Sequence, residues 1–296
     1  MKELLIRSLF GLVFLAIVFV PYMVDLNYRV NTFNFVLLLF SLIGTIELYA
    51  MRKAVYQSSR LLPVALLVVV LAFLPFILTS LHDFIPAIPA GISARDLNPQ
   101  VFSWLLLFWS VLLIVFILFI LLIFRKNEIA FIFKGTFILG LVYPLLPFLT
   151  LSFALTVSNP TEKLYLFIAL IPIYLNDSLA YVTGRFLGKT KLFPAVSPKK
   201  TWEGFFGGVF GTLIVMHLIV YLAGEYSVNN AFTITFASVL ASVLSTFGDL
   251  FESKLKRAAG VKDSGKILPG HGGILDRIDA MLFVAPVLYV LLAFIL

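Results

Sequence analysis

Long apolar runs are the feature that most limits what this chain can fold into. Nine stretches of 19 to 24 residues are dominated by aliphatic and aromatic side chains. An α-helix needs about 20 mostly apolar residues to cross the hydrocarbon core of a bilayer, and the alternation typical of barrel strands is missing. The sequence therefore predicts an all-α polytopic membrane protein with about nine transmembrane helices. The expected spans are residues 4–24, 33–51, 61–81, 101–124, 129–151, 164–183, 204–223, 231–251 and 278–296.

The composition excludes the soluble classes. Hydrophobic residues make up 61% of the 296 positions and charged residues only 12%, whereas soluble domains have about 45–50% and about 25%. A soluble enzyme, a disordered chain and a fibrous repeat are therefore excluded. The chain has no cysteine, which removes disulfides, a thiolate nucleophile and a cysteine-based zinc site.

The basic residues predict an orientation. With nine spans, 19 of the 22 Lys and Arg residues fall on one side, and only Arg29, Arg95 and Lys163 fall on the other. The positive-inside rule then places the N-terminus in the cytoplasm and the C-terminus outside. We interpret the apolar run after Lys2 and Arg7 as a retained span of a bacterial inner-membrane protein, because no small-residue cleavage site follows it.

The two halves of the sequence differ in chemistry. Residues 1–160 form about five spans with few polar groups, and Pro144 and Pro147 predict a kink or break in the fifth. Residues 161–296 form about four spans with two long basic cytoplasmic loops, and they contain nearly every motif. We expect the catalytic region in this second part.

Three polar segments interrupt the second half. The first is Asn176-Asp177-Ser178, inside an expected span. A carboxylate at that depth costs about 2.5–3.5 kcal/mol on insertion scales and normally has a partner or lines a wet cavity. It is either part of a site or a polar contact between helices.

The second segment is basic and rich in glycine. It comprises Gly184–Lys189 and Ser197–Gly204, and it leads into an expected helix. Helix N-termini with free N–H groups and nearby cations suit phosphate. The alternative is a loop whose charge only sets topology.

The third segment is acidic and basic together. Asp276 and Asp279 lie three residues apart at the start of the last span, so they share a helix face. Together with Asp249 and Asp177 they form a candidate Mg²⁺ site, since Mg²⁺ prefers oxygen ligands. The alternative pairs these carboxylates with cations of the same segment, namely Lys254, Lys256 and Arg277.

The sequence alone does not assign several other polar residues to the site or to a structural role. His271 is either a phosphate contact or a turn residue, and His217 is interpreted as a packing residue. Glu47 and Lys134, near the ends of their spans, either reach the site or face lipid headgroups.

Acidic metal ligands, cations and a glycine-rich backbone together indicate phosphoryl or nucleotidyl transfer. A cation-coupled transporter and a CTP-using lipid-alcohol kinase are the alternatives. The transporter would require carboxylates near the bilayer midplane and inverted repeats, whereas the polar groups here cluster at one face and in loops, and no repeat is visible in the sequence.

The longest motif resembles a known family. Ser253–Arg257, then Lys262–Gly265, then Leu268–Asp279 is similar to the hallmark of the phosphatidate cytidylyltransferases, also called CDP-diacylglycerol synthases. Asn176-Asp177-Ser178 and Ser197–Gly204 are similar to that family as well, except that Ala is frequent where this chain has Asn176. The resemblance covers about residues 170–280.

The resemblance implies transfer of CMP from CTP to phosphatidic acid, giving CDP-diacylglycerol and pyrophosphate, with Mg²⁺ and in a homodimer; whether a second cation takes part is left open. It implies metal binding by Asp249 and Asp276, with Asp279 and Asp263 in support. Together with the chemistry of the residues themselves, the resemblance gives two sets of candidates. The candidate catalytic residues are Asp249, Asp276, Asp279, Lys256, Arg257 and Asp263. The candidate metal ligands are Asp249, Asp276, Asp177 and Asp279. The candidate substrate-binding residues are Asn176, Asp177, Ser197, Lys199, Lys200, Thr201, Ser253, Lys262, His271, Gly272, Gly273 and Arg277.

Overall fold

The computed structural model describes residues 16–17, 20–21, 32–56, 61–82, 142–157, 170–222, 224, 228–268 and 272–295. These contain seven α-helices and one two-stranded sheet. In chain order the elements are α1 (Phe33–Tyr56), α2 (Leu62–His82), α3 (Leu146–Val157), α4 (Ile171–Leu187), β1 (Lys191–Phe193), β2 (Ser197–Thr201), α5 (Trp202–Leu222), α6 (Val228–Ala258) and α7 (Leu275–Ile295).

Three of these helices are long and apolar enough to cross a membrane, with spans Phe33–Lys53, Trp202–Leu222 and Ala231–Ala258. α5 leaves large side chains uncovered at four-residue spacing, including Phe206, Phe210 and Ile214. Such a stripe on one helix face suits contact with lipid. The predicted helical membrane protein is confirmed to this extent.

The count of nine spans and their orientation stay predictions. Most of the expected span 4–24, all of 101–124, most of 129–151 and the first residues of 164–183 lie outside the described residues. In the part that is described, a turn at residues 143–145 precedes α3. It lies where Pro144 and Pro147 predicted a break.

α6 is longer than its apolar run, and this corrects the prediction. The expected span ended at residue 251, yet the helix continues to Ala258, so Ser253–Arg257 is helical rather than part of a loop. Leu255 continues the buried face, at 1% exposure. Lys256 and Arg257 in the last turn favour the helix because cations stabilise its C-terminal end.

The basic loop after α4 folds into a β-hairpin, which an all-α prediction did not include. β1 and β2 are antiparallel, with Lys191 opposite Thr201 and Phe193 opposite Ser197. The backbone N–H of Trp202 donates to the Thr190 carbonyl at 2.9 Å, so the hairpin closes at the start of α5. This places the residues of β2 beside the end of α4.

Close helix packing brings the polar segments together. α4 packs along α5, α5 along α6, and α6 along α7. A Cβ on Gly248 in α6 would lie 2.6 Å from the Asp279 carbonyl oxygen of α7, so only glycine permits this approach. Small residues allow such contact between membrane helices. As a result, Asp249 and Glu252 of α6 lie beside Asp279.

An apolar core supports this arrangement from the other side. Tyr143 packs edge-on against Phe251 of α6 at 4.9 Å between ring centroids, and Phe251 lies 5.5 Å from Phe283 of α7. α1 also contacts α7. This contact brings Glu47 of α1 to the N-terminal end of α7.

Candidate active site

A cavity of about 400 Å³ lies between α4, the hairpin, the start of α5 and α6. Its wall combines backbone of small residues with side chains of both charges. The polar lining residues are Asn176, Asp177, Tyr181, Arg185, Lys199, Lys200, Thr201, Thr246 and Asp249. The first two polar segments of the sequence therefore meet at one cavity.

Local hydrogen bonds hold the hairpin, which carries Lys199 and Lys200, in place beside the cavity. The Thr201 side-chain oxygen accepts the Gly204 N–H at 3.1 Å, which caps the N-terminus of α5. The Glu203 carboxylate accepts the N–H groups of Lys189 and Thr190, each at 3.1 Å. These contacts tie the hairpin to α5.

Asn176 connects two walls of the cavity. It is 1% exposed, and its amide donates to the hydroxyls of Ser245 at 2.9 Å and Thr246 at 3.3 Å on α6. It thus makes the interhelical polar contact that was one of the two interpretations of this segment. Asp177, one residue later, lines the cavity.

Three carboxylates converge next to the cavity. One oxygen each from Asp249, Glu252 and Asp279 lies within 4.8 Å of the others. The Lys200 ammonium group lies 2.5 Å from Asp249. Glu252 Oε1 is buried and has no hydrogen-bond partner among the described residues. We call these three residues the acidic cluster.

The acidic cluster fits a divalent cation. Its donors are carboxylate oxygens, which Mg²⁺ prefers, and a buried carboxylate oxygen without a donor is costly unless a cation offsets it. Of the predicted metal ligands, Asp249 and Asp279 belong to this cluster. Asp177 and Asp276 do not.

Asp276 belongs to a second group of contacts. Its Oδ1 accepts from Lys256 at 2.6 Å, and its Oδ2 accepts from the Ser264 N–H at 2.9 Å, the Ser264 hydroxyl at 3.0 Å and the Gly273 N–H at 2.8 Å. Lys256 also lies 2.5 Å from Glu252. Lys256 therefore links Asp276 to the acidic cluster, in agreement with the ion-pair interpretation for this residue.

Of the other predicted site residues, those that the structure describes are not among the residues that line the cavity. The Ser253 hydroxyl donates to Asp249 at 3.2 Å, and Arg257 donates to the Val261 carbonyl at 3.2 Å. Gly272 has a φ of +87°, in the region that favours glycine. Ser197 begins β2; Lys262, Asp263 and Arg277 are exposed; and His271 lies outside the described residues.

Sequence reasoning missed one acidic residue, Glu252, and left the role of a second, Glu47, open between the site and the lipid headgroups. Glu252 is three residues from Asp249, the spacing of one helix face, but the expected span stopped at residue 251. Glu47 accepts hydrogen bonds from residues 217 to 228 positions away, and no local signal predicts such a contact.

Apolar helices around a charged cavity, with an acidic cluster at its wall, define a membrane protein with a site suited to phosphate-bearing molecules. The model of the cytidylyltransferase family matches residues 5–295. The chain therefore belongs to the cytidylyltransferase family, and the resemblance of its motifs is confirmed. As a member it is a nucleotidyltransferase.

Curated relatives agree with this membership. The chain is 35% identical to a phosphatidate cytidylyltransferase of Bacillus subtilis over 286 residues, which cover 92% of this chain and 99% of the relative. It is 45% identical over 128 residues to a phosphatidate cytidylyltransferase of Staphylococcus haemolyticus, and 46% identical over the same length to one of Staphylococcus aureus. Those two alignments cover 43% of this chain and only 48% of each relative, so the matched part is about half of their length.

Proposed function

We propose that this chain is a phosphatidate cytidylyltransferase, which transfers CMP from CTP to phosphatidic acid and releases pyrophosphate. The family membership and the names of the relatives support this reaction. The structural observation that carries it is that Lys199 and Lys200 line one cavity together with Asp249, a member of the acidic cluster.

The proposed reaction brings together negatively charged phosphates, so it needs cationic side chains to bind them and carboxylates to hold a metal ion. A phosphate oxygen of phosphatidic acid attacks the α-phosphorus of CTP, the bond from that phosphorus to the β-phosphate oxygen breaks, and pyrophosphate leaves with the bonding electrons. The attacking monoester is largely ionised at neutral pH, because its second pKa is about 6. No strong general base is therefore required, and because the lipid phosphate is itself the nucleophile, no cysteine nucleophile is required either.

The basic side chains have a binding role in this proposal. Lys199 and Lys200 bind phosphate oxygens, and Arg185 extends this positive wall toward the end of α4. Asn176 keeps α4 against α6, so that the two sides of the cavity keep their spacing. Fixed donors and cations of this kind stabilise charge that develops during transfer.

Asp249, Glu252 and Asp279 would hold Mg²⁺. Bound there, the cation would offset negative charge on the phosphates of CTP and on the leaving pyrophosphate. Asp276 supports this group through Lys256, which also contacts Glu252. Removal of divalent cations with EDTA should therefore stop turnover, and added Mg²⁺ should restore it.

The finer topology is also part of the proposal. We expect nine spans, a cytoplasmic N-terminus, a cavity facing the cytoplasm of a bacterial cell and a homodimer. The chain has no cysteine, so single cysteines placed in successive loops can be labelled selectively from either side of the membrane. Labelling that does not alternate between sides would contradict nine spans.

The decisive assay uses purified protein, Mg²⁺, phosphatidic acid and CTP labelled at the α-phosphate. The expected products are a labelled lipid and unlabelled pyrophosphate. Lipid labelled only from γ-labelled CTP would identify a kinase instead. Ion flux in vesicles without nucleotide consumption would identify a transporter.

A further inference from the structure

Glu47 is a buried acidic residue outside the cavity, on a helix of the N-terminal half. It is 3% exposed. Its Oε1 accepts the Ile274 N–H at 3.0 Å, and its Oε2 accepts the Leu275 N–H at 2.8 Å and the Ser264 hydroxyl at 3.0 Å. One carboxylate of α1 thus holds the beginning of α7 and the segment that precedes it.

The segment is shaped around this carboxylate. A Cβ on Gly265 would lie 2.8 Å from Glu47 Cδ, and a Cβ on Gly273 would overlap both Glu47 carboxylate oxygens. The two glycines therefore leave the space that the Glu47 side chain fills. We call residues 264–268 and 272–274, which precede α7, the loop.

The same loop also holds Asp276. The Ser264 N–H and hydroxyl and the Gly273 N–H all donate to Asp276 Oδ2. The Ser264 hydroxyl lies 3.0 Å from both Glu47 and Asp276, and it has one proton to donate. Glu47 and Asp276 thus share the Ser264 hydroxyl as a donor, and their other donors are neighbouring backbone N–H groups.

Because they are buried, these hydrogen bonds contribute more to stability than exposed ones would. Hydrogen bonds to a charged acceptor are stronger than those between neutral groups, and an ionised carboxylate taken from water persists only when it is well satisfied. The N-terminal end of α7 adds a favourable dipole for Glu47. Glu47 is thus positioned to fix the loop rather than to face lipid headgroups.

We propose that Glu47 is a positioning residue: it fixes the loop so that Asp276 keeps its contact with Lys256, and through Lys256 it maintains the acidic cluster. The catalytic consequence rests on the proposed function. The structural part, an ordered loop that depends on a carboxylate of α1, does not.

The first test is kinetic and compares Glu47→Gln with Thr45→Val. Gln replaces one acceptor oxygen with an NH₂ group, so a loop N–H loses its acceptor. A shift of about 1 Å at a reacting group can lower the rate about 100-fold, and we expect kcat to fall by that order. The KM for CTP should change much less, because Glu47 does not line the cavity. Thr45 is fully buried on the same helix, and among the described residues its hydroxyl donates to the carbonyl of Ser41 within that helix, so Thr45→Val should retain parent kinetics.

The second test reads the loop directly and needs no activity. In the cysteine-free chain, a spin label at Ile267→Cys reports on the loop, and one at Phe232→Cys reports on α6. Both positions are exposed, at 51% and 72%. Glu47→Gln should increase the mobility of the first label and leave the second unchanged. Equal mobility at Ile267 in parent and variant would overturn the proposal.

Ser264→Ala keeps the test decisive if Glu47→Gln does not fold. It removes one donor shared by Glu47 and Asp276 and should loosen the loop in the same direction, with a smaller fall in kcat. Unchanged kcat and unchanged loop mobility in Ser264→Ala would contradict the proposal. An inactive parent enzyme with a loop that loosens in Glu47→Gln would refute only the proposed function.

Discussion

Lys256 is the residue whose replacement tests the site energetics most directly. Its ammonium group contacts Glu252 at 2.5 Å and Asp276 at 2.6 Å, and the three side chains are 11%, 1% and 8% exposed. Lys256→Met keeps the apolar stem and removes the charge. Two buried carboxylates then face each other without their shared cation.

The expected loss of folding stability in Lys256→Met can be divided between Glu252 and Asp276. Removing one partner of a buried ion pair costs about 3–5 kcal/mol, because an uncompensated charge remains. Asp276 retains three donors from Ser264 and Gly273, whereas Glu252 Oε1 is without a partner among the described residues. We therefore expect the free energy of unfolding to fall by about 3–5 kcal/mol in Lys256→Met, with most of the loss at Glu252.

Double variants separate the two contributions. The free energy of unfolding is measured by denaturant titration in mixed micelles with EDTA present, so that bound cations do not compensate. Adding Glu252→Gln to Lys256→Met should recover most of the loss, and adding Asp276→Asn should recover less. Lys256→Arg, which keeps the charge, serves as the control.

Two results would refute this reasoning. A loss below about 1 kcal/mol in Lys256→Met would put the pair in the range of exposed ion pairs. Greater recovery with Asp276→Asn than with Glu252→Gln would show that the loop donors do not satisfy Asp276.

Further predictions concern the cavity and the helix contact. Asp249→Asn and Asp279→Asn, which alter two members of the acidic cluster, should each abolish CDP-diacylglycerol formation while the purified protein keeps its helical circular dichroism; near-normal turnover in both would contradict the assignment of Mg²⁺ to this cluster. Lys200→Ala should lower kcat/KM about 10- to 100-fold, since hydrogen bonds to charged groups contribute about 1.5–3 kcal/mol; Lys191→Ala, on the exposed edge of the hairpin, should leave it unchanged in the same assay. Gly248→Ala should destabilise the protein by about 1–3 kcal/mol in denaturant titration, because its Cβ would overlap the backbone of α7; an unchanged midpoint would show that the helices separate without cost.

The class of protein was predictable because membrane insertion is a local requirement. Apolar runs of about 20 residues predict spanning helices one at a time, without knowledge of how the helices pack. The ends of helices were less predictable. α6 continues past its apolar run because Leu255 remains buried and Lys256 pairs with Glu252 one turn away. These stabilising contacts do not register in hydropathy.

The sequence by itself determined the helical membrane class, the chemical character of residues 161–296 and, through its motifs, the family. The tertiary structure alone decided which carboxylates meet. Asp249 and Glu252 converge with Asp279 because Gly248 lets α6 approach α7, and Glu47 reaches the loop across more than 200 residues of chain. Contacts of this kind depend on the packing of whole helices, and the spacing of residues along one segment does not encode them.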